Sequence, residues 1–96
     1  MHVISKKKLR EFWEEHPRAQ SAIEAWYQAA SNAEWESFAE VRQTFNTADQ
    51  VGRFTVFDIG GNKYRLIAVI HFNRGKLYVR HVLTHAEYDE GKWKNE

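Results

Sequence analysis

The side chains best suited to chemistry lie in the last third of the chain, where cations alternate with aliphatics before a histidine and a tyrosine. Arg65 presents a guanidinium that can hold two phosphate oxygens with paired hydrogen bonds. His85 follows a predicted strand at a capped turn near a helix N-terminus, where an imidazole can act as acid or base. Tyr88, three residues later on the same helical face, could orient or protonate reacting oxygens. Such a set could cut RNA without a metal.

Each of these residues also has an ordinary structural interpretation. Arg65 could be a surface arginine that pairs with an acid such as Asp58. His85 could do no more than hydrogen-bond backbone at a corner, and Tyr88 has the profile of a half-buried packing residue. The residues alone leave both interpretations open.

The surrounding charge favours an anionic ligand. Between Arg53 and His85 six Lys or Arg and one acid give a local charge of +5, whereas the whole chain carries +1. Clustered cations on a small sheet are typical of nucleic-acid binding, although a protein-facing basic patch has the same composition. The candidate phosphate-binding residues are Lys63, Arg74, Lys76, Arg80 and His81.

The register of one predicted hairpin decides which of these residues lies beside Arg65. With Phe72 opposite Lys76, His81 would face the same way as Arg65, whereas a slip by one residue would bring Arg80 there instead. Arg80 is ranked before His81 at this stage.

No metal or other cofactor is expected. The chain has no Cys, no helical pair of histidines four residues apart, and no acid beside the histidines of the basic segment. The Gly60-Gly61 pair lacks the spacing of a phosphate loop and is predicted to be a tight turn.

Composition predicts one globular domain over residues 1–96, in which 43% of residues are hydrophobic and 15% aromatic. The absence of Cys favours the cytoplasm. No apolar segment follows the charged N-terminal region, and the longest aliphatic run, 66–70, is too short for a membrane span.

The first half of the chain predicts a short strand followed by two or three amphipathic helices. Ser5 can cap a first helix that ends near His16, and Pro17 fits the first turn of a second. Ser31 and Glu34 have capping-box spacing, which predicts a third helix. Its inward side chains would be Trp35, Phe38 and Phe45. Residues 46–52 are predicted to be a polar connection.

The second half has the period of strands. Segments near 54–57, 64–72 and 77–83 predict a three-stranded meander with turns at 60–62 and 73–75. Thr84 and Glu87 form a second capping-box pattern that opens a short final helix at His85, and Trp93 anchors the tail. The fold class is therefore α+β, with N-terminal helices packed on a small, twisted, mainly antiparallel sheet.

The segments GGNKYRLI (60–67) and YVRHVLTHAEYD (78–89), together with the opening MHVIS, resemble the HigB toxins of the RelE superfamily. The resemblance covers nearly the whole chain and implies a RelE-like fold. It also implies a toxin of a bacterial type II toxin-antitoxin pair that cuts messenger RNA in the ribosomal A site. The implied partner is a helix-turn-helix antitoxin of the HigA type. On this basis Arg65, His85 and Tyr88 are the expected catalytic residues.

Two other functions remain open at the level of sequence. Superfamily relatives with a similar fold poison DNA gyrase by binding it, and those relatives lack a basic catalytic set. A non-catalytic RNA-binding module would also carry the charge pattern. The presence of Arg65, His85 and Tyr88 favours the nuclease.

Overall fold

The computed structural model describes residues 1–95 and contains five strands and four α-helices in the order βαααββββα, with 3₁₀ turns between them. The strands are β1 (His2–Ile4), β2 (Asp49–Val51), β3 (Phe54–Ile59), β4 (Tyr64–His71) and β5 (Lys76–Thr84). The helices are α1 (Lys6–Glu15), α2 (Gln20–Asn32), α3 (Phe38–Thr44) and α4 (His85–Glu90).

The five strands form one sheet in the order β1-β5-β4-β3-β2. All neighbouring pairs are antiparallel except β1 and β5, which run parallel through the pairs from His2–Lys76 to Ile4–Tyr78. A short N-terminal strand beside a C-terminal meander was predicted, and the α+β class is confirmed.

The first two helices pack on one face of the sheet through their apolar stripes. Leu9 of α1 and Ile23 of α2 are fully buried. Ser5 occupies the N-cap position of α1 as predicted, but its side chain makes no capping hydrogen bond. Pro17 opens a 3₁₀ turn that leads into α2, as predicted. Pro is tolerated there because the first amide groups of a helix have no intrahelical acceptor.

The prediction of a helix capped by Ser31 and Glu34 is wrong. Ser31 lies in the last turn of α2, which continues to Asn32 because the segment contains no Gly or Pro and buries Ala30. The third helix begins seven residues later, after Ser37. The inward side chains of this region were predicted correctly: Trp35 is buried, and Phe38 and Phe45 pack against the core.

The expected connection at 46–52 contains a strand that the sequence did not reveal. Asp49–Val51 pairs antiparallel with β3, so the meander has four strands. Three residues with one apolar side chain are too few to show alternation. Gly52, with φ of 59°, permits the two-residue turn that joins β2 to β3.

A second, smaller core covers the other face of the sheet. Phe54, Val56 and Ile67 form it together with Trp93, which is buried as predicted and comes from the 3₁₀ turn Lys92–Asn95 after α4. Tyr88 of α4 packs against its edge. The sheet therefore lies between the N-terminal helices and the C-terminal segment, and Arg65 belongs to the C-terminal side.

Candidate active site

A β-bulge decides which residues share the face of Arg65. Near the hairpin His71 pairs with Lys76, whereas beyond the irregularity at Ile67 and Ala68 the partners are Ile67 with His81 and Arg65 with Leu83. Arg80 is the extra residue on β5. Because opposed residues in an antiparallel pair point to the same side, His81 and not Arg80 lies on the Arg65 face. Which of the two contacts RNA stays a prediction.

Arg65 is anchored inside the protein. It stands directly opposite Asp58 across the β3–β4 ladder, and its Nε lies 3.1 Å from the carboxylate oxygen. Its two terminal nitrogens donate to the backbone carbonyls of Asn62 and Tyr64 and to the Asn62 side-chain oxygen. Only 9% of the residue is exposed. The expected pairing with Asp58 is therefore present, but the expectation that Arg65 would be a surface residue is wrong.

This anchoring limits how Arg65 can meet a phosphate. Each hydrogen bond described above ends on a protein acceptor, so paired contacts to two phosphate oxygens would require phosphate to replace Asn62 or Asp58. The guanidinium nevertheless places a fixed positive charge at the start of β4. Its position is set before any ligand arrives.

Tyr88 lies against this guanidinium. The Arg65 Cζ atom is 5.2 Å from the centre of the Tyr88 ring, and Trp93 stacks on the same ring with a centroid distance of 5.2 Å. Burial raises the pKa of the Tyr88 phenol, and Asp49, Asp58 and Asp89 add to the rise while the Arg65 charge opposes it. The phenol is therefore protonated at neutral pH and can donate a hydrogen bond or a proton.

His85 begins the same short helix. Its backbone N–H donates to the Lys63 carbonyl at 3.0 Å, which ties α4 to the β3–β4 turn. Its Nδ1 lies 2.9 Å from the Asp89 carboxylate, and 44% of the His85 side chain is exposed. The predicted capping box is confirmed, because Thr84 and Glu87 exchange both hydrogen bonds.

The structure thus places Arg65, His85 and Tyr88 where β4 begins and α4 follows β5. Lys63 is exposed in the adjoining turn, where left-handed Gly60 and Gly61 reverse the chain. In this arrangement the guanidinium can neutralise negative charge. The accessible imidazole and the neutral phenol are two groups that can exchange protons.

The other predicted phosphate-binding residues lie elsewhere. Arg74 and Lys76 are at the opposite end of β4, six residues from Arg65 along the strand, or about 20 Å. Arg80 lines a groove of 320 Å³ between α1 and β5 together with Lys8. The Lys8 ammonium donates to the Arg80 carbonyl there.

Two residues of this region were not identified as part of the site from the sequence. Asn62 was interpreted only as a turn residue, and nothing in its spacing predicts a contact with Arg65. Asp89 follows His85 by four residues, the spacing that brings two side chains together on a helix, so this signal was present in the sequence.

Within residues 1–95, no group of three His, Asp or Glu side chains is placed to hold a metal ion. The helices found over that range are all too short or too polar to cross a bilayer.

Comparison with known proteins gives matches over most of the chain. A family model described as HigB_toxin, the RelE-like toxic component of a toxin-antitoxin system, matches residues 19–91. The mRNA interferase HigB of Escherichia coli O6:H1 is 32% identical over 93 residues, covering 94% of this chain and 90% of the relative. The mRNA interferase toxin HigB of Escherichia coli K12 is 29% identical over 92 residues, covering 93% and 88%.

Proposed function

This chain belongs to the HigB family of RelE-like toxins, and on that premise we propose that it is an endoribonuclease that cuts messenger RNA on the ribosome. The observation that carries the proposal is the clustering of Arg65, His85 and Tyr88 in a chain whose relatives are named mRNA interferases. The protein acts in the cytoplasm as the toxin of a toxin-antitoxin pair. A helix-turn-helix antitoxin of the HigA type neutralises it.

The proposed reaction is attack of a ribose 2'-oxygen on the neighbouring phosphorus. The 2'-hydroxyl loses its proton, the 2'-oxygen bonds to phosphorus, and the bond from phosphorus to the 5'-oxygen breaks. The leaving 5'-oxygen gains a proton. His85 and Tyr88 exchange these two protons, and the products are a 2',3'-cyclic phosphate and a 5'-hydroxyl.

The cations have two roles in this proposal. Arg65 contributes positive charge beside the scissile phosphate and holds the Tyr88 ring in place. Lys63, which is exposed next to His85, binds a non-bridging phosphate oxygen. The more distant cations bind RNA backbone away from the cut, and they are Arg74, Lys76 and Arg80. His81, which lies on the Arg65 face, is a further candidate for a contact to RNA.

The ribosome supplies much of the substrate positioning. The site has one anchored guanidinium and two proton-exchanging groups, whereas an RNase that selects free RNA needs extended contacts to bases as well. We therefore expect free RNA to be cut poorly.

The test is a map of transcript ends after brief induction in cells. Tyr88→Phe is the informative variant because Phe keeps the ring that contacts Arg65 and Trp93 while removing the hydroxyl. We expect new 5' ends within coding sequences for the wild type and few for Tyr88→Phe. Tyr27→Phe, at a half-buried tyrosine of α2, is the matched control and should cut like the wild type.

Intact transcripts in cells arrested by the wild-type protein would overturn the proposal. A gyrase-supercoiling assay run beside the map would then identify the gyrase-binding alternative. Equal cleavage by Tyr88→Phe and the wild type would remove the phenol from the mechanism.

A further inference from the structure

We propose that Asp89 is a positioning residue that holds the His85 imidazole with a proton on Nδ1, so that Nε2 meets the RNA 2'-hydroxyl. The inference rests on the proposed function and assigns the two proton transfers that the sequence left open. His85 then removes the 2'-hydroxyl proton through Nε2, and Tyr88 supplies the proton to the leaving 5'-oxygen.

The contact between the two side chains fixes the tautomer. The Asp89 Oδ2 atom lies 2.9 Å from the His85 Nδ1 atom, one helical turn apart on α4. An ionised carboxylate only accepts hydrogen bonds, so Nδ1 must carry the hydrogen. A neutral imidazole with its proton on Nδ1 has its lone pair on Nε2. The lone pair is therefore directed away from Asp89.

Stability does not account for this pair. The His85 side chain is 44% exposed and that of Asp89 is 60% exposed. Ion pairs as solvated as this contribute little to folding. The same exposure leaves the imidazole accessible to a large ligand. The contact is thus better explained by the orientation it gives His85 than by helix stability.

Asp89 also faces the second proton-exchanging group. It adds to the rise in the Tyr88 pKa that burial causes, as do Asp49 of β2 and Asp58 of β3, while Arg65 of β4 opposes the rise. One carboxylate therefore holds His85 ready to accept a proton and helps keep Tyr88 protonated. From the β3–β4 turn, the backbone carbonyl of Lys63 accepts the hydrogen bond of the His85 backbone N–H.

The experiment combines the tautomer of His85 with the rate of cleavage. Nitrogen-15 NMR of the purified protein, at a pH where His85 is neutral, reports which ring nitrogen carries the proton. Cleavage of a reporter transcript on translating ribosomes reports the reaction. The variants are Asp89→Ala, Asp89→Glu as the conservative replacement, and Glu90→Ala, which removes a neighbouring acid of α4 that pairs with Lys92.

We expect the Nδ1–H tautomer in the wild type and in Glu90→Ala. In Asp89→Ala the imidazole should revert to the Nε2–H form that water favours. Cleavage should then fall about ten- to a hundredfold, which is less than the roughly hundred- to ten-thousandfold contribution of a general base itself, because His85 is still present. Asp89→Glu should retain the Nδ1–H form and recover most of the activity, because glutamate also reaches a residue one turn away.

Two results would overturn the inference: an Nε2–H tautomer in the wild type, or full cleavage by Asp89→Ala. An equal loss of cleavage in Glu90→Ala would also overturn it, since general loss of negative charge would then be the cause. Failure of the wild type to cleave would instead count against the proposed function, and the tautomer measurement would still report the contact by itself.

Discussion

At the scale of single residues, the best-determined member of the site is Arg65. Its neighbours come from three parts of the chain: Asp58 on β3, Asn62 in the turn, and Tyr88 on α4. A charged group with this little exposure requires partners, and the partners in turn fix where it points. Arg65 therefore has a structural role and a proposed catalytic role. Loss of activity in an Arg65 variant could come from the loss of either one.

Arg65→Ala should therefore destabilise the protein. The change leaves the Asp58 carboxylate without its cation and removes the bonds to the turn, a loss of about 2–3 kcal/mol. Urea unfolding measures it, with Arg74→Ala at an exposed turn position as the control that stays close to the wild type. If Arg65→Ala unfolds at the wild-type urea concentration, the anchoring described here does not operate in solution.

Tyr88 gives a prediction about alkaline pH. Because burial raises its folded pKa above the reference value of about 10, the neutral phenol contributes stability below that value. This contribution should be lost as pH rises from about 10 through the folded pKa. The difference in free energy of unfolding between the wild type and Tyr88→Phe should change over this interval. A pH-independent difference would show that the phenol titrates normally.

At the scale of elements, one six-residue helix carries both proton-exchanging groups. Isolated helices of this length are not stable in water, so α4 depends on its capping box, on the bond from His85 to Lys63, and on Trp93. The cap at Thr84 immediately precedes the reactive histidine. Loss of the cap should disturb function and folding together.

Thr84→Ala tests this dependence. Removing the hydroxyl that accepts from the Glu87 amide should cost about 1 kcal/mol and lower the rate of cleavage. Ser37→Ala is the matched control, because Ser37 occupies the N-cap of α3 without a side-chain bond. Thermal unfolding and the ribosomal cleavage assay measure the two effects. If Thr84→Ala and Ser37→Ala lost the same stability and the same cleavage rate, the hydrogen bond to the Thr84 hydroxyl would not be the cause of the loss.

Some secondary-structure elements could be predicted from the sequence and others could not. Strong local signals predicted the right structure: the apolar stripes of α1 and α2, and the Thr84–Glu87 pattern. The same pattern at Ser31 failed because burial of Ala30 extends α2 past it. The bulge at Arg80 and the strand at 49–51 depend on pairing between distant segments, and no local pattern of residues encodes such pairing.

The site shows the same division. Residue types predicted Arg65, His85 and Tyr88, and the helical spacing of His85 and Asp89 was visible in the sequence. The burial of Arg65 was not visible in the sequence. It depends on the cross-strand pairing with Asp58 and on the packing of Tyr88 against the guanidinium. Contacts across strands and between layers needed the structure.

At the scale of the whole molecule, the cations of the basic segment are spread over the sheet. Lys63 lies beside α4, whereas Arg74 and Lys76 lie at the far end of β4, about 20 Å away. At physiological salt, exposed charges interact over about 8 Å. The two ends therefore act on RNA independently.

Reversing charge at the two ends should have unequal effects. Lys63→Glu should reduce cleavage at least about tenfold because it places a negative charge next to the scissile phosphate. Arg74→Glu, also at an exposed turn, should reduce cleavage less, by about two- to threefold, because it weakens an RNA-backbone contact and lies beyond the screening length from the scissile phosphate. Rates on translating ribosomes give the comparison. A larger loss for Arg74→Glu would place the RNA at the other end of the sheet.

The central claim is that the side chains around Arg65 cut RNA through its own 2'-hydroxyl. The most direct measurement is the chemistry of the new ends when purified protein acts on a reporter transcript bound to translating ribosomes. We predict a 2',3'-cyclic phosphate and a 5'-hydroxyl with the wild type, and few such ends with Tyr88→Phe. The account would be contradicted by new ends that bear a 3'-hydroxyl and a 5'-phosphate. It would also be contradicted by an uncut transcript when the wild-type protein is folded and arrests growth in cells.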